Sequence, residues 1–234
     1  MRSPRQDTAT GQHTELAPAV VFGIAVVVAG PLIAWLNRDQ WFFLDEFAFL
    51  FERDLADPVS LFDPHWGHLT ALPALVYQVL YHLVGLHHYW PYQWLVITAH
   101  LAVAVLLRML MRRAHVHPWL ATAAATTFLF LGSGRVNLSW GFQVTLTGSI
   151  AFGLGALVLV TSDRGPDSEL DRTRAERRRD VAAAALLVAS VLSSNVGVTM
   201  AIIVALAALV MAPDLRSGAR RGAVVVAPSA LVYG

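Results

Sequence analysis

Long apolar blocks separated by short polar stretches dominate the chain. The first block covers residues 17–36 and follows a largely polar tail, residues 1–16, that carries Arg2 and Arg5. A helix over this block rises ~1.5 Å per residue and so spans roughly 30 Å, one hydrocarbon core. The block is too long for the apolar part of a secretory signal, and no small-residue cleavage site precedes Trp35-Leu36-Asn37, so a retained span is expected. Gly30-Pro31 places a tolerated kink within it. Further spans are expected over residues 90–107, 119–131, 142–161, 181–193 and 198–211, with one Arg-rich linker at 163–180. A last apolar stretch, 223–233, is too short to cross, so the sequence reads as truncated within a helix.

Two segments break this pattern. Residues 37–68 mix seven carboxylates (Asp39, Asp45, Glu46, Glu52, Asp54, Asp57, Asp63) with Trp41, Phe42, Phe43, Phe47, Phe49, Phe51, Phe62 and Trp66. Acidic and aromatic residues together suit a loop folded at a membrane surface, with rings at headgroup level. In residues 69–86, the positions Thr70, Tyr77, Gln78, Tyr81, His82 and Gly85 fall on one side of a helix. That segment is expected to be an amphipathic juxtamembrane helix, lying in the interface or lining a wet cavity.

Composition supports the membrane reading. Of the 234 residues 56% are hydrophobic and 14% charged, against about 45–50% and about 25% in soluble domains. The fold class expected is therefore all-α: a polytopic transmembrane helix bundle of about six or seven spans plus the juxtamembrane helix. Absence of cysteine removes disulfides, thiolate metal sites and thiol nucleophiles. A net charge of +1, with Arg scattered between apolar blocks, argues against nucleic acid as a partner.

Arginine also orients the chain, because basic residues near span ends stay cytoplasmic. With the N-terminus inside and 69–86 not crossing, 14 of the 17 Arg lie inside, leaving Arg38, Arg53 and Arg135 outside. An N-terminus outside with 69–86 crossing scores equally. We adopt the first arrangement because Arg2 and Arg5 precede the first span. It puts residues 37–68 and the segment Gly132-Ser133-Gly134-Arg135-Val136-Asn137-Leu138-Ser139-Trp140-Gly141 on the outer face.

The outer-face loop holds Asp45-Glu46, then His65-Trp66-Gly67-His68-Leu69, and the later segment continues Asn137-Leu138-Ser139-Trp140-Gly141-Phe142-Gln143. A first span, an acidic outer loop, a juxtamembrane helix and a multi-span bundle in this order resemble the GT-C superfamily of membrane glycosyltransferases, in its bacterial branch. The resemblance implies residence in a bacterial plasma membrane, a polyprenyl-phosphate sugar donor, and an envelope glycan, lipid or protein acceptor. Such transfer needs a base for the acceptor proton and hydrogen-bonding or cationic groups for the departing phosphate. Asp45 is the candidate base, and Glu46 the candidate assistant through Mg²⁺ or Mn²⁺, with both carboxylates as possible ligands. His65, His68, Arg135, Asn137 and Gln143 are candidate substrate contacts, Arg135 for phosphate.

Blander readings stand beside these: an exposed acidic turn for Asp45-Glu46, interfacial anchors for His65 and His68, and a snorkelling span-end residue for Arg135. His82, His87, His88, Tyr89, Trp90 and Tyr92 read as an aromatic interface belt. His100, within a span, either bonds a neighbouring helix or faces a cavity. A transporter or flippase of a lipid-linked solute and a non-catalytic membrane assembly partner are the competing functional classes.

Overall fold

A computed structural model describes the backbone of residues 4–131, 136–162 and 169–233, and within those ranges the side chains from residue 16 onward except 169–173. The regular structure of the described residues is helical, without a sheet. The elements are α1 (Pro4–Leu36), α2 (Glu46–Phe51), α3 (Ala71–Val84), α4 (Trp90–Arg113), α5 (Pro118–Leu129), α6 (Val136–Ser139), α7 (Val144–Val160), α8 (Glu169–Val191), α9 (Val196–Met211) and α10 (Leu215–Tyr233). Short 3-10 turns lie at Pro58–Phe62 and Gly141–Gln143.

Three helical stretches are long and apolar enough to cross a membrane: Leu16–Leu36, Trp90–Arg113 and Gly141–Val160. The other expected spans differ in length or charge. α5 has 12 residues and α9 has 16, below the ~20 that a bilayer core requires. α8 carries the Arg-rich segment in its first half, so residues 169–180 are helix where a linker is expected. Arg, Glu and Ala are strong helix formers and do not interrupt a helix that begins before the apolar block. α10 likewise starts in a charged stretch, and its Arg221 pairs with Asp180 of α8 at 2.7 Å.

The helices form two packed groups and a cap. In the first group α1, α4 and α5 bury Phe22, Ala29, Ile33, Val96, Ile97, Ala125 and Leu129 together. In the second, α7 to α10 enclose Ala156, Leu187, Met200, Val204 and Val225. Helix α7 also packs on α4 and joins the two groups. Small residues allow this closeness: a Cβ at Gly153 would stand 2.4 Å from Met200, and one at Gly197 would stand 2.5 Å from the backbone of Ser190. Ser149 and Ser190 clamp α7 to α8, each hydroxyl donating to the other's carbonyl at 2.9 and 2.7 Å. His100 bonds the Leu129 carbonyl at 3.2 Å and stacks on Phe128, tying α4 to α5.

The cap is the acidic, aromatic loop with α3 beneath it, sharing a core of Phe42, Phe49, Leu50, Leu61, Tyr77, Tyr89 and Tyr92. Helix α3 runs from the α8–α9 turn, where Leu72 N donates to Leu192 O at 3.0 Å, to the start of α4, where Tyr92 reaches the Gly85 carbonyl. The first part of its polar side faces inward, whereas His82 near its end is exposed. Tyr77 and Gln78 are buried, and Gln78 Nε2 donates to the carbonyls of Phe49 and Leu50 at 2.7 and 3.1 Å. Its apolar side, Leu75, Val79, Leu83 and Val84, is exposed. The helix is thus amphipathic, with an exposed apolar side turned away from the cap.

Candidate functional site

The two carboxylates of the acidic pair occupy different surroundings. Leu44, at φ 45°, turns the chain into α2, and Asp45 and Glu46, successive residues at its helical start, point about 100° apart. The Glu46 side chain is 0% exposed. Its Oε1 accepts from Tyr77 at 2.7 Å and from Tyr89 at 3.0 Å, and its Oε2 accepts from the Phe43 amide at 3.0 Å. The Tyr89 hydroxyl in turn accepts from the Gly141 amide at 2.8 Å. One carboxylate thus ties together the loop, α3, the entry to α4 and the entry to α7. Burial raises the Glu46 carboxyl from 4.5 to about 7, against the lowering pull of its hydrogen bonds from Tyr77, Phe43 and Tyr89. Burial, then the neighbouring Glu46, lifts the Tyr89 phenol well above its usual range.

Asp45 points the other way. Its side chain is 29% exposed and does not cap α2, and Oδ1 lies 3.3 Å from His65 Nε2. The pair is close enough for charge interaction, yet Nε2 is not aligned as a hydrogen bond and has no such partner among the described residues. His65 is held by a tight hairpin: its N–H and C=O pair with those of His68, both at 2.9 Å. Trp66 and Gly67, at φ 50° and 76°, form the two-residue turn. The His65 ring packs edge-on to Phe49 and Phe142, and Phe142 stacks on Trp140 at 5.0 Å. Trp140 Nε1 donates to Phe43 O at 3.1 Å, closing the frame on the loop side.

The structure therefore brings Asp45, Glu46 and His65 into one region, with Gln143 adjoining through Phe142. His68 and Asn137 are exposed. Arg135 lies outside the described residues. Gln143 immediately precedes α7, and its Oε1 is buried without a hydrogen-bond partner among the described residues. For a shared divalent ion the donor set is poor, because both Glu46 oxygens are already engaged by protein donors. Among the described residues no three His, Asp or Glu side chains are grouped to hold a metal.

Tyr77, Tyr89 and Gly141 are the site residues that sequence reasoning missed. Tyr77 has a visible signal, its place on the polar stripe of α3. Tyr89 looks like part of an interface belt; it is buried, as is Tyr92, while His87, His88 and Trp90 are exposed. Gly141 has no local signal, since only the packing shows that a Cβ there would meet Tyr77, Glu46 and Tyr89 oxygens at 2.6 to 2.9 Å.

No family model matches the chain, and neither does any curated protein or solved structure.

Proposed function

We propose that the chain is a membrane-embedded GT-C-type glycosyltransferase, moving a sugar from a polyprenyl-phosphate donor to a hydroxyl of an envelope glycan, lipid or protein. The observation that carries the reading is the Asp45–His65 pair, a partly exposed carboxylate 3.3 Å from an imidazole on a rigid hairpin at the capped end of the bundle. In this reading α8 and the short helices α5 and α9 cross where the bilayer thins around them, and with the three long helices complete six of the expected six or seven spans. The N-terminus is cytoplasmic, and the cap lies on the outer face of a bacterial plasma membrane.

In the proposed step the acceptor oxygen attacks the anomeric carbon while Asp45 takes the hydroxyl proton. The bond from that carbon to the phosphate oxygen breaks, and the phosphate leaves with the electron pair. His65 stands beside Asp45 and limits the directions its carboxylate can take, and Arg135, His68 and Asn137 meet the phosphate. Glu46 is a positioning residue, because both its oxygens hold the cap in place. The donor set favours a step without Mg²⁺ or Mn²⁺, and none is routed through a metal.

The test is transfer from a radiolabelled polyprenyl-phosphate sugar by purified protein in lipid nanodiscs. Asp45→Asn is expected to lower turnover by about 100-fold or more, the scale of a removed general base, with the thermal midpoint unchanged. Unchanged turnover in that variant removes Asp45 from the step, and no transfer by the wild type overturns the reading.

A further inference from the structure

The end of the bundle opposite the cap is rich in arginine. The last carbonyls of α7 carry the negative end of its dipole, and arginines from three other helices meet them. Arg113 of α4 donates to Val158 O, Arg221 of α10 to Val160 O at 3.3 Å, and Arg179 of α8 to Ser162 O, just beyond the helix, at 3.4 Å. These contacts bring the basic stretches of α4, α8 and α10 to one level. Two further arginines of that level, Arg216 and Arg220, take no part in them.

Arg216 and Arg220 stand about one turn apart on α10, are exposed, and pair with no carboxylate among the described residues. They border a charged cleft between α10 and α8 whose other ionic groups are Glu176, Asp180, Asp214 and Arg221. Two of these carboxylates are engaged within the protein. Asp180 Oδ1 accepts from the Arg221 guanidinium at 2.7 and 2.9 Å, and the two Asp214 oxygens accept from the Ser217 amide and hydroxyl, both at 2.9 Å. The exposed ridge of α10 therefore carries two uncommitted positive charges.

The other flank of α10 is apolar. A groove of about 520 Å³ runs between α9 and α10, lined by Ala201 and Leu206 on one wall and by Ala219, Ala223 and Val226 on the other. It follows α10 from Gly218 to Tyr233, roughly 22 Å at ~1.5 Å per residue, more than the ~15 Å of hydrocarbon in one leaflet. Within it the Ser229 hydroxyl is already committed to Val226 O. Arg216 and Ala219, like Arg220 and Ala223, are three residues apart, the spacing of neighbours on a helix surface, so both arginines adjoin the groove at its charged end.

We infer that ridge and groove together bind an anionic glycerophospholipid, its phosphate between Arg216 and Arg220 and one acyl chain along the groove between α9 and α10. An arginine fork matches phosphate oxygens, and two forks one turn apart meet both free oxygens of a diester. A zwitterionic headgroup would add a cation beside two cations, so net charge sets the preference. The site lies at the far end of the bundle from Asp45 and needs only that the apolar helices lie in a bilayer, not that the chain transfers sugar. The full chain, purified in a non-ionic detergent, is titrated with phosphatidylglycerol and with phosphatidylcholine of the same acyl chains, and bound lipid is counted by native mass spectrometry. One phosphatidylglycerol per chain is expected to bind at least about tenfold more tightly than phosphatidylcholine. Arg216→Gln and Arg220→Gln are each expected to weaken it about fivefold, and together about 25-fold, with the thermal midpoint unchanged or higher. Ala223→Leu fills the groove without altering charge and is expected to weaken it at least about fivefold. Arg178→Gln, on the side of α8 away from Glu176 and Asp180, makes the same charge change and should weaken it by less than about twofold.

Equal affinity for the two lipids, wild-type affinity in the double arginine variant or in Ala223→Leu, or as large a loss in Arg178→Gln as in Arg216→Gln would overturn the site. So would displacement of the lipid by glycerol 3-phosphate, which would mark a soluble-phosphate site with no use for the groove. A lowered midpoint in both single arginine variants would mean that these side chains have structural partners, and would overturn it as well. Lipid binding is read without turnover, so its failure and the failure of the transferase reading are separate results.

Discussion

Replacing Gly141 by Ala tests the buried carboxylate cluster at its tightest point. The added Cβ would stand 2.6 Å from the Tyr77 hydroxyl, 2.8 Å from Glu46 Oε1 and 2.9 Å from the Tyr89 hydroxyl. Real carbon atoms do not approach oxygens so closely, and none of the three can retreat without loosening a hydrogen bond to the carboxylate. Hydrogen bonds to a charged group contribute about 1.5–3 kcal/mol each, so disturbing two of them costs about 3–6 kcal/mol. Against this, Gly→Ala at a compatible helical backbone gains about 0.4–1 kcal/mol from the unfolded chain. The net expectation is a loss of about 3 kcal/mol, or roughly 6–12 °C in thermal midpoint for a chain of this size. Gly148→Ala in α7 is the control: its Cβ would meet only Val144 Cγ2, at 3.7 Å, and it should be neutral or mildly stabilising. Thermal unfolding of both variants in one detergent gives the comparison. Adding Tyr77→Phe removes the nearest oxygen, so the cost of Gly141→Ala should shrink by more than about 1 kcal/mol in the double variant. Equal midpoints for the two glycine variants, or strict additivity with Tyr77→Phe, would refute the crowding argument.

Glu46 should also leave a signature in the pH dependence of stability. Its carboxyl titrates at about 7 in the fold against 4.5 ordinarily, so the folded state holds the proton more tightly. The associated stabilisation is complete below about 4.5, declines as pH rises toward 7, and amounts to about 3 kcal/mol between those limits. Glu46→Gln should remove that slope while adding a pH-independent cost where the new amide faces the Phe43 N–H; parallel wild-type and variant profiles from pH 4 to 8 would show that Glu46 is not the titrating group. In the hairpin, Trp66 adopts φ 50° while 83% exposed, and Gly67 adopts φ 76° with open space around it. Trp66→Asn is expected to gain about 0.5–1 kcal/mol and Gly67→Ala to lose about 1 kcal/mol by thermal unfolding, and no change in either would contradict the left-handed turn.

Much of the architecture is visible in one dimension because it follows from solvent partitioning along a helix. The runs beginning at residues 17, 90 and 142 contain enough consecutive apolar residues to be helical and to cross a membrane, whatever surrounds them. The stripe of Thr70, Tyr77 and Gln78 marks α3 as two-sided for the same reason. Boundaries are less visible, since Arg and Glu extend α8 through the stretch expected to be a linker. The sense of the stripe on α3 also depends on what packs over it, and here the cap makes the polar side the interior.

By itself the amino-acid order determined an all-helical, lipid-compatible chain with one acidic, aromatic loop, and it singled out Asp45, Glu46 and His65 as groups with chemistry to offer. Tertiary structure alone decided that the adjacent carboxylates divide, Glu46 into a cage of tyrosines and Asp45 toward an imidazole 20 residues away. The cause is desolvation. A carboxylate survives burial only where distant segments deliver donors to it, and those donors, Tyr77, Tyr89 and the Phe43 amide, meet only when α3 and the entry to α4 close over the loop.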